Sequence, residues 1–401
     1  MWETVKLGEI ANISIGKTPP RGDKRYWDKD KDTKNVWLSI ADMNSVVDGF
    51  VSESKEYISD AGAALFKPVP AHTLIMSFKL SIGKLAFTAC ELRTNEAIAA
   101  LEIKNENQIT KEYLRHFLSS RNWDKIAGDD EKVKGKTLNK AKLKELEIIL
   151  PPLAEQHRIV AKLDAAFAEI DNIATITEKK LKEARKLYAS GITEIYFSDK
   201  SVPVVPLSTI SKIKGGKRLP KGKKLQIEPT SYPYIRVSDF TNFGTIDEKS
   251  VQYITEEIRG EISRYTISSE DVYVSIAGTI GKTGVIPQSL DGANLTENAA
   301  KIVLNEECDK NYFYFFTTSS SFEKQAIAQT RTAAQPKLAL ERLGAVELPI
   351  HNRLTQQAIA EKARDLRDSV KLVETLLNEK LLKTQALKSA ILAQELQSEA
   401  A

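Results

Sequence analysis

The chain has 401 residues, of which 42% are hydrophobic and 28% are charged, and its formal net charge is +4. This composition is ordinary for a globular protein, and the length suggests two to three domains. The sequence has no run of about 18 apolar residues, which argues against a membrane span, and its two distant cysteines, Cys90 and Cys308, exclude a disulfide framework or a cysteine zinc site.

The first residues lack the design of a signal peptide, so a reducing cytoplasm is the expected location. The mildly positive charge permits binding to nucleic acid but is weak evidence for it.

The chain opens with Val5-Lys6-Leu7-Gly8-Glu9-Ile10, and a basic loop containing proline follows at Thr18–Arg25. A similar pattern begins at Val205, with its own basic loop at Arg218–Lys224. The residues that recur 200 positions later are Leu7, Ile10, Ile13, Gly16 and Lys17. The sequence therefore indicates an internal repeat of one unit.

Further segments match between the two repeats. Alternating apolar and polar residues at 37–42 and 234–239 predict half-buried strands. Segments 74–84 and 272–282 predict a strand, a tight glycine turn and a second strand. The sequence Thr94-Asn95-Glu96-Ala97 aligns with Thr296-Glu297-Asn298-Ala299, and a short helix is expected near Tyr113 and near Tyr312.

Each repeat ends in a long segment with helical spacing of its apolar residues. The first follows Leu150-Pro151-Pro152, and its stripe is Ile159, Leu163, Phe167, Ile170, Ile173, Thr177, Leu181, Ala184, Tyr188, Ile192 and Ile195. The second follows Leu348-Pro349, and its stripe is Ile359, Ala363, Leu366, Val370, Val373, Leu377, Leu387 and Ile391. A helix of about 60–70 Å with one narrow stripe needs a partner helix.

These patterns divide the chain into four parts. We predict a first mixed α+β domain at 1–152, a central long helix at 153–199, a second α+β domain at 200–349 and a distal long helix at 350–401. The expected domain size is ordinary. All four tryptophans lie in the first half, so the two domains have diverged.

The chain resembles the specificity subunit of a type I restriction–modification system. The resemblance spans essentially the whole chain and rests on Leu-Pro-Pro-Leu-Ala-Glu-Gln at 150–156, the opening at Val5, Ser-Ile-Gly-Lys at 81–84, Thr-Asn-Glu-Ala at 94–97 and the half-length repeat. The second repeat departs from the pattern at 349–356, where the matching motif has an insertion and lacks its second proline and its glutamate.

The resemblance implies a non-catalytic chain with two target-recognition domains, each reading one half of a split sequence in double-stranded DNA. It implies an α+β fold with a pseudo-two-fold internal repeat, in which the two long helices pack antiparallel as a coiled-coil spacer. It also implies two methyltransferase subunits and two restriction subunits as partners. S-adenosylmethionine, ATP and Mg²⁺ would belong to those partners, and no cofactor or metal is expected in this chain.

The residues give weaker support to other functions. The Gly-Lys-Thr triplets at 16–18 and 281–283 lack the earlier glycine of a phosphate-binding loop. The four histidines show no placed catalytic partner, which favours structural roles. Two alternatives stay open: a coiled-coil scaffold whose two heads bind proteins rather than DNA, and an enzyme with an unrecognised site.

DNA contacts call for exposed Lys and Arg at phosphates and for Arg, Lys, Asn or Gln at base edges. The candidates in the first repeat are Lys17, Arg21, Lys24, Arg25, Lys79, Lys84, Arg93, Lys132, Lys134 and Lys136. Those in the second are Lys217, Arg218, Lys221, Lys223, Lys224, Arg236, Lys282, Arg331, Gln335 and Lys337. The basic loops are the strongest candidates because both repeats place them at the same position.

Overall fold

The computed structural model describes residues 2–44, 46, 49–79, 81–127, 131–132, 135–136, 138–328 and 338–397. The chain divides into two units. The first unit comprises Met1–Thr175 with Lys380–Ala401, and the second unit is Ile176–Glu379. Each unit holds one mixed domain, here called its head, and parts of both long helices.

Two helices of 45 residues each dominate the secondary structure: the central long helix, Leu153–Phe197, and the distal long helix, Arg353–Gln397. The distal helix starts at Arg353 rather than at 350. The other α-helices are Leu7–Ile10, Asp60–Ala63, Lys111–Ser119, Trp123–Ala127, Lys140–Lys144, Leu207–Ile210, Glu256–Glu261, Lys310–Phe316, Ser320–Ala328 and Leu340–Gly344. Short 3-10 helices are Lys24–Tyr26, Asp42–Asn44, Val237–Asp239 and Gln288–Leu290.

The head of the first unit has two main sheets. In spatial order, the five-stranded sheet is Ala11–Ile15, Ile98–Ile103, Leu74–Ser77, Leu85–Thr88 and Phe50–Val51. The four-stranded sheet is Trp27–Asp28, Glu56–Ile58, Val36–Leu38 and Arg93–Thr94. Two antiparallel pairs complete it: Glu3–Lys6 with Glu147–Leu150, and Glu131–Lys132 with Gly135–Lys136.

The head of the second unit repeats this plan with shorter sheets. Its four-stranded sheet is Ser211–Gly215, Ala299–Leu304, Val272–Ser275 and Thr283–Val285. Its three-stranded sheet is Gln252–Tyr253, Pro233–Ile235 and Asn294–Leu295, and the closing pair is Val204–Pro206 with Glu347–Pro349. The repeat predicted from the sequence is therefore a repeat of folds.

The predicted strands at 37–42 and 234–239 are shorter than expected. Each is strand only at its start and then turns, because a buried aspartate accepts a hydrogen bond from the backbone three residues earlier. Asp42 accepts from the Ser39 N–H at 2.9 Å, and Asp239 accepts from the Arg236 N–H at 2.7 Å. Apolar–polar alternation continued into both turns and made them look like strand.

In the first unit the two long helices run antiparallel. Lys162 Nζ lies 2.6 Å from Glu395 Oε1, and Asp171 lies 2.8 Å from Lys388 Nζ, so residue numbers rise along one helix as they fall along the other. Leu163 and Leu396 are fully buried in the same core as the main sheet of the head. This packing joins the helix pair to the head.

The second unit has the same arrangement. Arg185 Nε lies 2.6 Å from Glu374 Oε1 across the helix pair. Ile192, Ala363 and Tyr196 are fully buried. The Tyr196 hydroxyl donates a hydrogen bond to the Tyr312 carbonyl in the head. The fold class predicted from the sequence, including paired antiparallel long helices, is confirmed.

The buried stripe of the distal helix differs in part from the prediction. Val373 is 44% exposed and Leu387 is 49% exposed. The neighbouring Glu374 and Lys388 form ion pairs across the seam, which is the line of contact between the two long helices. Charged residues occupy several positions of this helix–helix contact, so the apolar residues beside them do not mark it. The predicted stripe was wrong at these two positions.

Candidate nucleic-acid interface

The basic loop of each unit, taken from here on together with the Gly-Lys that precedes it (16–25 and 216–224), is anchored at a glycine that lies against the head. The Gly16 N–H donates to the Ile98 carbonyl at 3.2 Å, and the Gly216 N–H donates to the Ala299 carbonyl at 3.0 Å. A Cβ on Gly16 would stand 2.0 Å from the Thr94 carbonyl oxygen, so no side chain fits there. Glycine is required by this close approach.

The next residue, a lysine, is held through its backbone in both units. The Lys17 N–H donates to the Thr94 carbonyl and the Lys217 N–H donates to the Leu295 carbonyl, each at 2.8 Å. These bonds make Thr94 the counterpart of Leu295, so the sequence alignment of Thr94 with Thr296 was wrong by one residue. Glu96 therefore corresponds to Glu297.

Two unlike aromatic residues make the same contact to these lysines. The Trp37 indole N–H donates to the Lys17 carbonyl at 3.0 Å, and the Tyr234 hydroxyl donates to the Lys217 carbonyl at 2.7 Å. Trp37 is 1% exposed and Tyr234 is 3% exposed, so both are built into the core. The starts of the two basic loops are thereby fixed in equivalent ways.

Within the first loop, two arginines bind carboxylates. Both terminal N–H groups of Arg21 donate hydrogen bonds to the Glu56 carboxylate, and the guanidinium lies 4.2 Å from the Trp27 ring centroid. Arg25 donates to Asp23 at 2.7–3.2 Å, and the arginine lowers the pKa of Asp23.

The second loop has two such pairs. Arg218 Nε donates to Glu297 at 2.7 Å, and Lys223 Nζ donates to Glu257 at 2.8 Å. The corresponding carboxylate of the first unit, Glu96, accepts a hydrogen bond from the Thr18 hydroxyl. Acidic residues therefore support both basic loops.

Burial raises the pKa values of Glu96 and Glu297, but hydrogen bonds and nearby cations outweigh it and lower both pKa values overall. The donors are the side chains of Thr18 and Arg218, together with backbone N–H groups. Both carboxylates thus favour the charged form. Sequence reasoning missed this role, although the matched Glu-containing segments were a visible signal.

Among the described residues, the side chains of four exposed loop lysines have no ion-pair, hydrogen-bond or ring partner: Lys17, Lys24, Lys221 and Lys224. Lys217 differs, because its ammonium lies 5.6 Å from the Tyr265 ring centroid. The loops therefore present a mixture of paired and unpaired cations.

The glycine turn is the second element that the two heads share. The Lys84 N–H donates to the Ser77 hydroxyl at 3.0 Å, and the Lys282 N–H donates to the Ser275 hydroxyl at 2.8 Å. Gly83 and Gly281 have φ values of 90° and 86°, which favour glycine. Both predicted lysines follow directly after these glycines.

The remaining candidates in the described residues have varied surroundings. Lys79 lies 5.4 Å from the Phe78 ring centroid, and Lys84 donates to Asn44. Arg93 is mostly buried and lies 3.3 Å from Glu91. Arg236 donates to Asp239 at 2.7 and 3.1 Å and also to Gln252 and Ser250. The geometry of Arg93 and Arg236 favours structural roles, and their contact with DNA stays a prediction.

Several candidates fall outside what the structure describes. Lys134, Arg331, Gln335 and Lys337 lie outside the described residues, and only the backbone is described for Lys132 and Lys136.

Two histidines are tied into the units. His116 is 3% exposed, and its Nε2 lies 2.8 Å from Asp164 Oδ1. His351 Nδ1 lies 2.8 Å from the Tyr312 hydroxyl. In the described residues, no group of three or more His, Cys, Asp or Glu side chains could hold a metal ion.

None of the described helices combines the length and the apolar character needed to cross a membrane.

The chain is similar to known proteins over most of its length. The family model for the type I restriction modification DNA specificity domain matches twice, at residues 1–183 and 200–381. The type I restriction enzyme MjaIX specificity subunit of Methanocaldococcus jannaschii is 22% identical, over 78% of this chain and 75% of the relative. The EcoBI specificity subunit of Escherichia coli is also 22% identical, over 76% of this chain and 69% of the relative.

The fold is similar to a chain in a solved structure described as "Structural basis underlying complex assembly and conformational transition of the type I R-M system". The TM-score is 0.70 at 16% identity, covering 98% of this chain and 97% of that one. Since the family model matches nearly the whole chain in two copies, the protein belongs to the type I restriction modification DNA specificity domain family.

Proposed function

We propose that this protein is the specificity subunit of a type I restriction–modification complex and that each head reads one half of a split target in double-stranded DNA. The observation that carries the proposal is the equivalent construction of the two basic loops. Each starts at a glycine anchored to the main sheet and is fixed by an aromatic donor to the following lysine. Two similar but diverged heads suit two different half-sites.

The loops have the chemistry that DNA phosphates require. Exposed lysines give the salt-dependent part of the affinity, and base edges are read by side chains that vary between the heads. The alternative, a coiled-coil scaffold whose two heads bind proteins, does not explain why both units have a basic loop at the same place.

Docking of methyltransferase and restriction subunits belongs to the same proposal. In the second unit, Leu372 and Leu376 are 62% and 57% exposed and lie one helical turn apart on the distal helix. Exposed apolar patches on a stable protein mark interaction surfaces. We assign this surface to a partner subunit.

Under this proposal the chain itself is non-catalytic, and the partner subunits bind S-adenosylmethionine, ATP and Mg²⁺. The described histidines with polar side-chain contacts, His116 and His351, are engaged in contacts that hold each unit together. Methyl transfer and cleavage would then need the assembled complex.

Selection from a pool of random duplexes tests the proposal. The full chain, purified with its methyltransferase subunit, is expected to enrich two short sequences at a fixed separation. Enrichment without any sequence preference would contradict it. The methyltransferase subunit alone is the control and should enrich no split sequence.

A further inference from the structure

Apart from Lys217, which lies near the Tyr265 ring, the cations of the basic loops fall into two groups that the sequence does not distinguish. Arg21, Arg25, Arg218 and Lys223 each bind a carboxylate of the same chain. The side chains of Lys17, Lys24, Lys221 and Lys224 are exposed and have no partner within the described part of the chain. The two groups alternate along both loops.

We propose that the unpaired lysines make the phosphate contacts, whereas the carboxylate-bound cations are positioning residues that hold the loops in shape. This inference rests on the proposed function, because it divides the work among residues of the same interface.

The physical reason is electrostatic. A cation bound to a carboxylate has little net field, and a phosphate that approaches it meets the carboxylate's negative charge as well. An unpaired lysine carries its full charge and can release counterions from DNA when it binds. Exposed ion pairs contribute little to the free energy of folding. The role proposed for these pairs is therefore to fix the geometry of the loops.

Arg21 shows why the paired cations act on loop shape. Its guanidinium lies over two indole rings, at 4.2 Å from the Trp27 centroid and 4.7 Å from the Trp37 centroid, and it also binds Glu56. Glu56 lies on a strand of the four-stranded sheet, and Trp37 holds the Lys17 carbonyl. A phosphate that drew Arg21 away from Glu56 would break this link between the loop and the four-stranded sheet.

The second loop offers the sharpest comparison. Lys221, Lys223 and Lys224 lie within four residues and share the same side chain. Among the residues that the structure describes, only Lys223 of the three has a carboxylate partner, Glu257 at 2.8 Å. Sequence alone gives no reason to treat them differently. The structure predicts different effects for otherwise equal substitutions.

The test measures the binding constant against salt concentration for the full chain assembled with its methyltransferase subunit. The probe is a labelled duplex that carries the selected target sequence. Lys221→Ala and Lys224→Ala should each reduce the slope of log K against log salt by about 0.9, the value for one lost phosphate contact. Lys223→Ala should leave the slope unchanged.

Reciprocal charge exchange separates positioning from contact. Lys223→Glu with Glu257→Lys keeps the ion pair but removes the cation from the loop. The wild-type slope should persist, and the double variant should recover affinity lost in Lys223→Glu alone. A slope reduced by about 0.9 in the double variant would overturn the inference.

The first loop provides an independent repeat of the test. Lys17→Ala with Lys24→Ala should reduce the slope by about 1.8, whereas Arg21→Ala should weaken binding at an unchanged slope. Equal slope losses for paired and unpaired cations would refute the division of roles. If the wild-type complex shows no preference for any duplex, the proposed function itself fails, which is a separate outcome.

Discussion

Gln156 and Gln356, at the starts of the two long helices, make the same three hydrogen bonds in their own units. Both side chains are fully buried. Gln156 accepts from the Thr110 N–H and donates to the carbonyls of Gln108 and Pro151, each at 2.9 Å. Gln356 accepts from the N–H of Asp309 and donates to the carbonyls of Glu307 and His351, at 2.7–2.8 Å. This contact joins each long helix to the cap of a short head helix.

Replacing Gln156 with Leu should destabilise the first unit by about 2–4 kcal/mol, because a buried N–H and two buried carbonyls lose their partner. Denaturant unfolding followed by circular dichroism measures the loss. The control is Gln357→Leu on the exposed face of the distal helix, which should change stability by less than about 0.5 kcal/mol. Equal effects of the two substitutions would show that the hydrogen bonds of the Gln156 amide do not stabilise the contact between the long helix and the head.

Gly16→Ala should displace the first basic loop, since the added Cβ would lie 2.0 Å from the Thr94 carbonyl oxygen. DNA affinity should fall while the second unit keeps its half-site preference. Gly22→Ala in the same loop is the matched control, because a Cβ there would meet nothing within 4 Å. Duplex selection with both variants checks the outcome, and a preserved first half-site in Gly16→Ala would contradict it.

Acid should destabilise the first unit through His116. Burial and the nearby Arg115 lower the pKa of this histidine, although Asp164 offsets part of the effect. Below the pKa of an unfolded histidine, about 6.5, the unfolded chain binds the proton first, so the folded state loses stability as pH falls. Above that pH both states are neutral at this site, and His116 adds no pH dependence.

Unfolding free energies between about pH 7.5 and 5.5 test this expectation, because most carboxylates stay ionised in both states over that range. His116→Gln should reduce the pH dependence without abolishing it, because burial also lowers the pKa of His351 in the second unit. His157→Gln, at an exposed helix position, should leave the dependence in place. A wild-type stability that rises as the pH falls would contradict the sign.

The proposed partner surface on the distal helix can be tested separately from DNA binding. Leu372→Glu with Leu376→Glu should weaken assembly with a partner subunit at least tenfold while the chain stays folded. Leu354→Glu, at another exposed leucine, is the control. Co-purification with the methyltransferase and restriction subunits measures the effect, and full assembly of the double variant would exclude this surface.

The paired helices should determine the separation of the half-sites. A heptad inserted into both helices, near Lys180 and near Leu377, keeps the seam and adds about 10 Å, which is about three base pairs. The half-site sequences should persist with a longer non-specific gap. Altered half-sites with the original gap would contradict this model.

The repeat, the long helices and the glycine turns could be predicted because each leaves a local pattern. The shift that makes Thr94 the counterpart of Leu295 could not, because only backbone hydrogen bonds reveal it. The seam at Glu374 and Lys388 was missed because charged residues occupy it.

The candidate site was predictable only in outline. Basic residues at matched positions indicated the loops, but pairing depends on carboxylates distant in sequence. Glu257 and Lys223 are 34 residues apart, and Glu56 and Arg21 are 35 apart. The sequence therefore shows where the cations are, but it cannot separate residues that position the loop from residues that contact DNA.

Sequencing of methylated sites tests the central claim most directly. Cells that express this chain with its methyltransferase subunit should carry methylation at one split sequence, with two specific parts and a gap of fixed length. A version with Lys221→Ala and Lys224→Ala should lose occupancy without changing the first half-site. Methylation at a single uninterrupted sequence, or none that depends on this chain, would contradict the account.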